Sequence, residues 1–196
     1  MSSDPALFPV FLKLAGRKVL VVGGGVVAAS KVETLTPTGA RVVVVAPAIR
    51  PEIQASGAEV RRRPFRAADL NGAWFVVSAA TPEVNRAVSR AAETRRLFVN
   101  AVDDPPNATA YLGGVLRRGG LTLAISTSGR APAIAGLVRE GLDALIPNDL
   151  DEWLATSDEL KRRWREAKVP MDARRPQLLD AIVRLYDERK SAGVRS

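Results

Sequence analysis

Continuous apolar runs alternate along this chain with breaks of glycine, proline or charge, and the spacing of those breaks predicts the elements. Lys18-Val19-Leu20-Val21-Val22 shows no polar alternation behind the basic pair Arg17-Lys18, as in a strand covered on both faces. Gly23-Gly24-Gly25 interrupts it. Val26 to Leu35 then predicts a helix, with Val27, Lys31 and Leu35 at four-residue spacing and Pro37 and Gly39 ending it. Arg41 to Val45 predicts a second strand stopped by Pro47, Glu59 to Arg63 a short edge strand, and Ala73 to Ala79 a fourth buried strand. Pro82 to Arg95 predicts a helix with Val84, Val88 and Ala91 inward, and Leu97 to Val102 a fifth strand. Strands alternating with helices at this spacing imply parallel crossovers, so the expected class is α/β, a Rossmann-type doubly wound parallel sheet.

After Asp104 the pattern changes. Pro105-Pro106-Asn107 is a turn, and Val115 to Arg118 and Leu121 to Thr127, joined by Gly119-Gly120, predict a hairpin. Ser128 to Pro132 is a polar loop ahead of a predicted helix from Ala133 to Leu145, ended by Pro147. Thr156 with Glu159 has the form of a capping box ahead of Leu160 and Trp164. Leu178, Leu179, Ile182, Val183 and Leu185 mark a last amphipathic helix. Trp74, Trp153 and Trp164 each fall at a strand or helix spacing that buries them. The expected division is 1–112, 113–147 and 148–196, the last part a small helical domain.

Composition narrows the chemistry. No apolar run approaches the roughly 18 residues needed to span a bilayer, and Met1 to Leu12 lacks the pattern of a secretory signal. There is no cysteine, so a disulfide framework is excluded and a cytoplasmic address is expected. There is no histidine, so zinc sites built on His or Cys and triads built on His are excluded, and no metal site is expected. Proton transfer falls to a carboxylate, a lysine, a tyrosine or water. The net charge of +8 is spread out, with 14 basic against 9 acidic side chains in 1–112, 4 against 3 in 113–150 and 11 against 9 in 151–196. Only Arg61-Arg62-Arg63 with Arg66 forms a cluster, and no aromatic residues interleave with it. A solvated surface or an acidic small molecule explains that cluster better than nucleic acid does.

Gly23-x-Gly25-x-x-Ala28 sits between a predicted strand and a predicted helix, the context that gives this pattern meaning. The first glycine makes the tight turn, the second lets the backbone approach a pyrophosphate, and the small third residue lets helix and strand pack closely. The helix N-terminus then offers free N–H groups to the phosphates. The acid that would hold the adenosine ribose is missing, because the second strand ends Val45-Ala46-Pro47-Ala48, with Arg50 near. That absence also counts against an S-adenosylmethionine methyltransferase. Asp103 ends the fifth strand at the carboxyl edge, where such sheets bind ligands. Either Asp103 or Asp104 could equally cap the Pro105 turn. Ser126-Thr127-Ser128-Gly129-Arg130 meets a helix N-terminus, suited to a substrate carboxylate, or forms a plain strand–turn–helix connection.

Several segments in unbroken order from about Phe8 to Pro147 resemble one family. They are Phe8-Pro9-Val10-Phe11-Leu12, the stretch from Gly16 through the glycine loop to Ala28 with Lys31, and Ser78-Ala79-Ala80-Thr81 with Asn85. Val99-Asn100-Ala101-Val102-Asp103-Asp104-Pro105 follows, then Ala124 to Pro132 before Leu137-Val138-Arg139-Glu140. Together they resemble the precorrin-2 dehydrogenase family, including the amino-terminal part of siroheme synthase. The resemblance implies oxidation of precorrin-2, a tetrapyrrole, to sirohydrochlorin with NAD as cofactor; some members also insert ferrous iron. It implies a homodimer, with 113–147 as the dimerisation and substrate segment. It places the catalytic Asp at Asp103 and NAD contacts at Val26, Val27, Pro47 and Ala48, to which Gly23, Gly24, Gly25, Ala80 and Thr81 are added. Ser126, Thr127, Ser128, Gly129 and Arg130 are the expected substrate contacts. The sequence departs from the family at Ala110-Tyr111-Leu112-Gly113-Gly114, where a Phe-x-x-Pro-like stretch is expected, at Ser30 in place of an Arg, and at Pro37. A nucleotide-sensing Rossmann module without chemistry is the competing reading.

Overall fold

The computed structural model describes residues 6–128 and 131–193; Gly129 and Arg130, two expected substrate contacts, lie outside them. The chain divides into two compact units, 1–113 with 126–131, and 114–125 with 132–196. In the first, five parallel strands, β1 (Lys18–Val22), β2 (Arg41–Val45), β3 (Glu59–Arg61), β4 (Ala73–Ser78) and β5 (Val99–Ala101), lie in the order β3-β2-β1-β4-β5. The chain builds outward from β1 to β3 and then crosses to β4 on the other side. The point of reversal, between the ends of β1 and β4, is where ligands bind in doubly wound sheets.

All five residues of β1 are buried, as its unbroken apolar run requires. Val19, Val21, Val44, Phe75 and Val77 face α1 (Val26–Leu35) through Ala28, Val32 and Leu35. Leu20, Val22, Val43, Val45 and Val76 form the opposite layer with Leu70 and with Val88 and Ala92 of α3 (Pro82–Glu93). Each fully buried Val or Leu contributes about 1.5–3 kcal/mol of hydrophobic transfer. A short helix α2 (Pro51–Ala55), initiated by Pro51, connects β2 to β3.

On α3, Val84, Val88 and Ala91 face the core as expected, Val84 and Ala91 only half-buried, and the stripe also buries Ala92 and the polar Asn85. Trp74 departs from expectation and is 58% exposed. A bulge pairs Lys18 with Ala73 and Val19 with Phe75, so Trp74 opposes no residue of β1 and is released from the pleat. Arg17 stacks on it, the guanidinium carbon 3.4 Å from the ring centroid.

The arginine cluster also has a specific task. Asp69 is only 2% exposed. Its carboxylate accepts from Arg63 at 2.5 and 2.8 Å, from Arg61 at 3.2 Å and from the Arg66 backbone N–H at 2.9 Å. The Arg63 hydrogen bond, with help from the Arg66 N–H and from Arg61, lowers its pKa to about 2. The buried Lys18 amine donates to the Asp69 and Asn71 carbonyls at 2.7 and 2.8 Å, and burial lowers its pKa. Arg61 and Arg63 are therefore counter-ions to a buried acid as much as a surface.

In the second unit, β6 (Gly114–Arg118) and β7 (Leu121–Ile125) form the hairpin, followed by α4 (Pro132–Leu145), α5 (Leu150–Glu166) and α6 (Met171–Gly193). Gly119 has φ 54°, so the turn favours glycine, and a Cβ there would meet only the exposed Asp151 carboxylate, which can swing aside. Arg118 pairs with Asp143 at 2.6 Å and donates to the Ile146 carbonyl. Trp164 is buried and donates to Gln177 at 2.6 Å; the half-buried Trp153 meets Tyr186 edge-on, with ring centroids 6.1 Å apart. The Thr156–Glu159 capping box is not a helix start. α5 begins at Leu150, with Asp151 and Glu152 in its first turn, and runs through both residues. On α6, Leu178, Ile182 and Leu185 are half-buried, whereas Leu179 and Val183 are exposed.

Candidate active site

Parallel strands bring all the segments that follow them to one edge of the sheet. Gly23–Gly25 follows β1, Ala46–Arg50 follows β2, Ala79–Thr81 follows β4 and Val102–Asp104 follows β5. Backbone hydrogen bonds stitch this edge together: Gly23 N–H to Val45 C=O at 3.0 Å, Ala79 N–H to Val22 C=O at 2.8 Å, and Val102 N–H to Ser78 C=O at 2.9 Å.

The three glycines differ in what they permit. Gly23 has φ 128°, and a Cβ there would lie 2.2 Å from the Ala79 carbonyl oxygen, so it lets the ends of β1 and β4 meet. Gly24, the unspecified position of the fingerprint, is as constrained: its Cβ would lie 1.9 Å from the Ala48 carbonyl oxygen. Gly25 faces open space within 4 Å, and it caps α1 without a side-chain hydrogen bond. Behind it Val26 and Val27 are 67% and 44% exposed, while Ala28 is fully buried against the sheet. An uncapped helix start beside a glycine with room in front of it fits a dinucleotide pyrophosphate, with the free N–H groups of the first turn as donors. Pro47, Ala48 and Thr81 are exposed at the same edge, and Ala80 is half-buried.

Replacing each glycine by alanine should separate these roles. Gly24→Ala is expected to cost about 1–3 kcal/mol of stability, because backbone must move to admit the methyl group. Gly25→Ala should leave the melting temperature nearly unchanged and weaken NAD binding about tenfold or more, by filling space a phosphate would use. Thermal melts beside calorimetric titration with NAD check both. Equal effects of the two variants on stability would overturn the distinction.

Asn85 of α3 organises the loop after β4. It is 2% exposed, and its Oδ1 accepts from Ser78 Oγ at 2.7 Å and from the Ala80 N–H at 3.2 Å, pinning the loop after β4. A polar residue on the apolar stripe of a helix was the available signal. Asn100, buried in β5, donates to the Ala110 carbonyl at 3.1 Å, and Thr109 Oγ1 accepts from the Val99 N–H at 2.8 Å; together they tie the strand to the segment beyond Asp103. Asn100 Oδ1 has no partner among the described residues.

Asp103 and Asp104 divide as their environments suggest. Asp104 accepts two hydrogen bonds from the Asn107 amide, at 2.9 and 3.0 Å, and starts the turn at Pro105. Asp103 is exposed, adopts φ 55°, and makes no hydrogen bond or ion pair among the described residues. A non-glycine residue held in the left-handed region is a recurrent mark of functional sites. In the other loop, Ser126 Oγ accepts from the Ser128 N–H at 3.1 Å and Thr127 Oγ1 from the Ala131 N–H at 3.2 Å. Ser128 has φ 56°. Each of the two hydroxyls keeps its own proton to donate.

Residues 10–114 match the family model described as "Putative NAD(P)-binding", and residues 118–145 match "Sirohaem biosynthesis protein central". The chain belongs to the precorrin-2 dehydrogenase and siroheme synthase amino-terminal family. It is 39% identical over 165 residues to siroheme synthase of Neisseria meningitidis serogroup C (strain 053442), covering 82% of this chain and 34% of that protein. It is 39% identical over 201 residues to siroheme synthase of Xylella fastidiosa (strain M12), covering 95% of this chain and 41% of that protein. The chain therefore spans about two-fifths or less of the length of these curated relatives. Among solved structures, "SirC, precorrin-2 dehydrogenase" superposes with a TM-score of 0.69 at 28% identity, covering 90% of this chain and 89% of that one. The parallel sheet and the helical C-terminal region agree with that likeness, and NAD agrees with the family's NAD(P)-binding domain.

Proposed function

We propose that this chain oxidises precorrin-2 to sirohydrochlorin, with NAD at the glycine loop and Asp103 as the base. The observation that carries this reading is the position of Asp103. An exposed, uncommitted carboxylate stands at the same sheet edge as an uncapped helix start, in a chain whose family includes precorrin-2 dehydrogenases. When bound, NAD supplies the hydride acceptor. The chain's part is to hold the dinucleotide with Gly23, Gly24, Gly25, Val26, Val27, Pro47, Ala48, Ala80 and Thr81, and to take a proton from the macrocycle at Asp103. Ser126, Thr127 and Ser128 offer hydroxyl or backbone donors to the substrate's carboxylates, with Gly129 and Arg130 completing that loop in sequence. The same carboxylate can accept a pyrrole proton as a metal ion enters the ring, and sirohydrochlorin with ferrous iron tests that second step.

Purified protein with precorrin-2 and NAD, without metal, should produce NADH and sirohydrochlorin together. Dinucleotide binding without turnover would overturn the dehydrogenase reading in favour of a sensing module. The division 1–112, 113–147 and 148–196 goes with this proposal as cofactor, dimerisation and helical parts. A cytoplasmic address goes with it too: recovery of the native protein with membranes would overturn it.

The proposal includes a homodimer. Ile134, Leu137, Val138 and Leu145 of α4 are 56%, 67%, 44% and 79% exposed, and with Gly141 they form one apolar stripe at helical spacing. A stripe of this kind on a family member with a dimerisation segment is suited to a second copy of the chain. Leu137→Asp is expected to raise the dimer dissociation constant about 30-fold or more, the effect of losing an interface anchor. Sedimentation velocity checks it, and a wild-type monomer at micromolar concentration would overturn it.

A further inference from the structure

The adenosine end of the cofactor site is basic where such sites usually carry an acid. β2 runs out through Ala46, Pro47 and Ala48. A carboxylate at that point would accept from the ribose 2′-hydroxyl of NAD and repel a 2′-phosphate. Arg50 stands there instead, fixed to the glycine loop. Its backbone N–H donates to the Gly24 carbonyl at 3.0 Å, two residues beyond the Ala48 carbonyl that abuts Gly24. Its exposed guanidinium grips Glu52 in a fork, Nη2 to Oε1 at 2.7 Å and Nε to Oε2 at 3.1 Å.

A second cation leaves the neighbouring strand at the same edge. The Ala46 N–H donates to the Arg61 carbonyl at 3.3 Å, which sets Arg62 beside the end of β2. Arg61 and Arg63 are committed to Asp69. Arg62 is exposed and makes no hydrogen bond or ion pair among the described residues.

We infer that this site takes the 2′-phosphorylated dinucleotide NADP as well as NAD, with Arg50 and Arg62 receiving the 2′-phosphate. The inference rests on the dinucleotide binding at the glycine loop, as proposed above. A guanidinium fork matches two phosphate oxygens as it matches a carboxylate. An exposed ion pair holds its partners weakly, so Arg50 can exchange Glu52 for a phosphate without disturbing the fold. Glu52 thereby tunes the preference, competing for the cation and repelling the phosphate's charge.

Calorimetric titration of the full chain with NAD and with NADP tests this, in the wild type, in Glu52→Gln, and in Arg50→Ala combined with Arg62→Ala. In the wild type the two dissociation constants are expected within about tenfold of each other at low salt. The double arginine variant should raise the NADP-to-NAD ratio about tenfold or more, and Glu52→Gln should lower it. Added salt should weaken NADP more steeply than NAD. NAD binding with NADP weaker by more than about 100-fold, or a ratio unmoved in the double variant, would overturn the inference and leave the proposed function standing. Failure of the wild type to bind either dinucleotide would overturn both. Thermal melts of each variant distinguish a lost contact from a lost fold.

Discussion

Asp103→Asn is expected to lower kcat for precorrin-2 oxidation by about 10²- to 10⁴-fold, the range for losing a positioned general base. The substitution keeps the size of the side chain and tolerates the left-handed backbone at φ 55°. A loss of rate therefore reports the proton acceptor and not a collapsed turn. Asp104 is the internal control. Its carboxylate is engaged by the Asn107 amide, so Asp104→Asn should disturb the turn and its stability more than the chemical step. Asp103→Gly adds a second check, because glycine adopts positive φ without strain and should fold at least as readily. The assay is NADH and sirohydrochlorin appearing together under saturating NAD, with kcat and KM separated. If Asp103→Asn turned over at the wild-type rate, Asp103 would be only a turn residue, and the base would have to be sought elsewhere on the same edge.

The first unit was legible in the sequence wherever local pattern and tertiary demand agree. β1, α1 and β2 fall at Lys18–Val22, Val26–Leu35 and Arg41–Val45, as the apolar runs and their breaks predict. A strand buried on both faces needs no alternation, and glycine or proline marks its end sharply. The five-residue α2 gave no periodicity to find. The exposure of Trp74 depends on a one-residue slip of register between β1 and β4, a relation between segments more than 50 residues apart that no local window contains. The site divides in the same way. The glycine loop was readable because strand, glycines and helix are contiguous, and Asp103 because it follows a strand. Gly24 owes its necessity to the Ala48 carbonyl, and Asn85 its role to the Ala80 N–H; these are contacts across chain turns. The capping box misled because Thr156-x-x-Glu159 is a local motif that a helix already begun at Leu150 overrides.

The arginine cluster shows how far composition can differ from structure, and Asp69 is where the difference becomes measurable. The sequence presents three arginines in a row, which reads as surplus charge. In the fold two of them, with the Arg66 N–H, surround a carboxylate that is 2% exposed, and its pKa drops from 3.8 to about 2. Because the folded value is depressed, the stabilisation is present above the unfolded value near pH 4 and is lost as pH falls toward 2. The shift corresponds to about 2 kcal/mol of stability at neutral pH, less whatever solvent screening the half-exposed arginines admit. Removing the charge costs more than that figure, since the amide that replaces one carboxylate oxygen turns N–H donors toward Arg63 and the Arg66 N–H, which both donate to Oδ2. Asp69→Asn is therefore expected to lower stability by about 3 kcal/mol. Urea melts of wild type and variant between pH 7 and pH 2.5 check both parts: the difference should be largest at neutral pH and shrink through the acid limb. A difference constant with pH would assign Asp69 a packing role and leave the arginines as surface charge. The outcome also reaches the cofactor. With Asp69 neutral, Arg63 loses its ion pair beside Arg62 while Arg61 stays on Glu59, so a folded Asp69→Asn protein should bind NADP relatively more tightly than NAD.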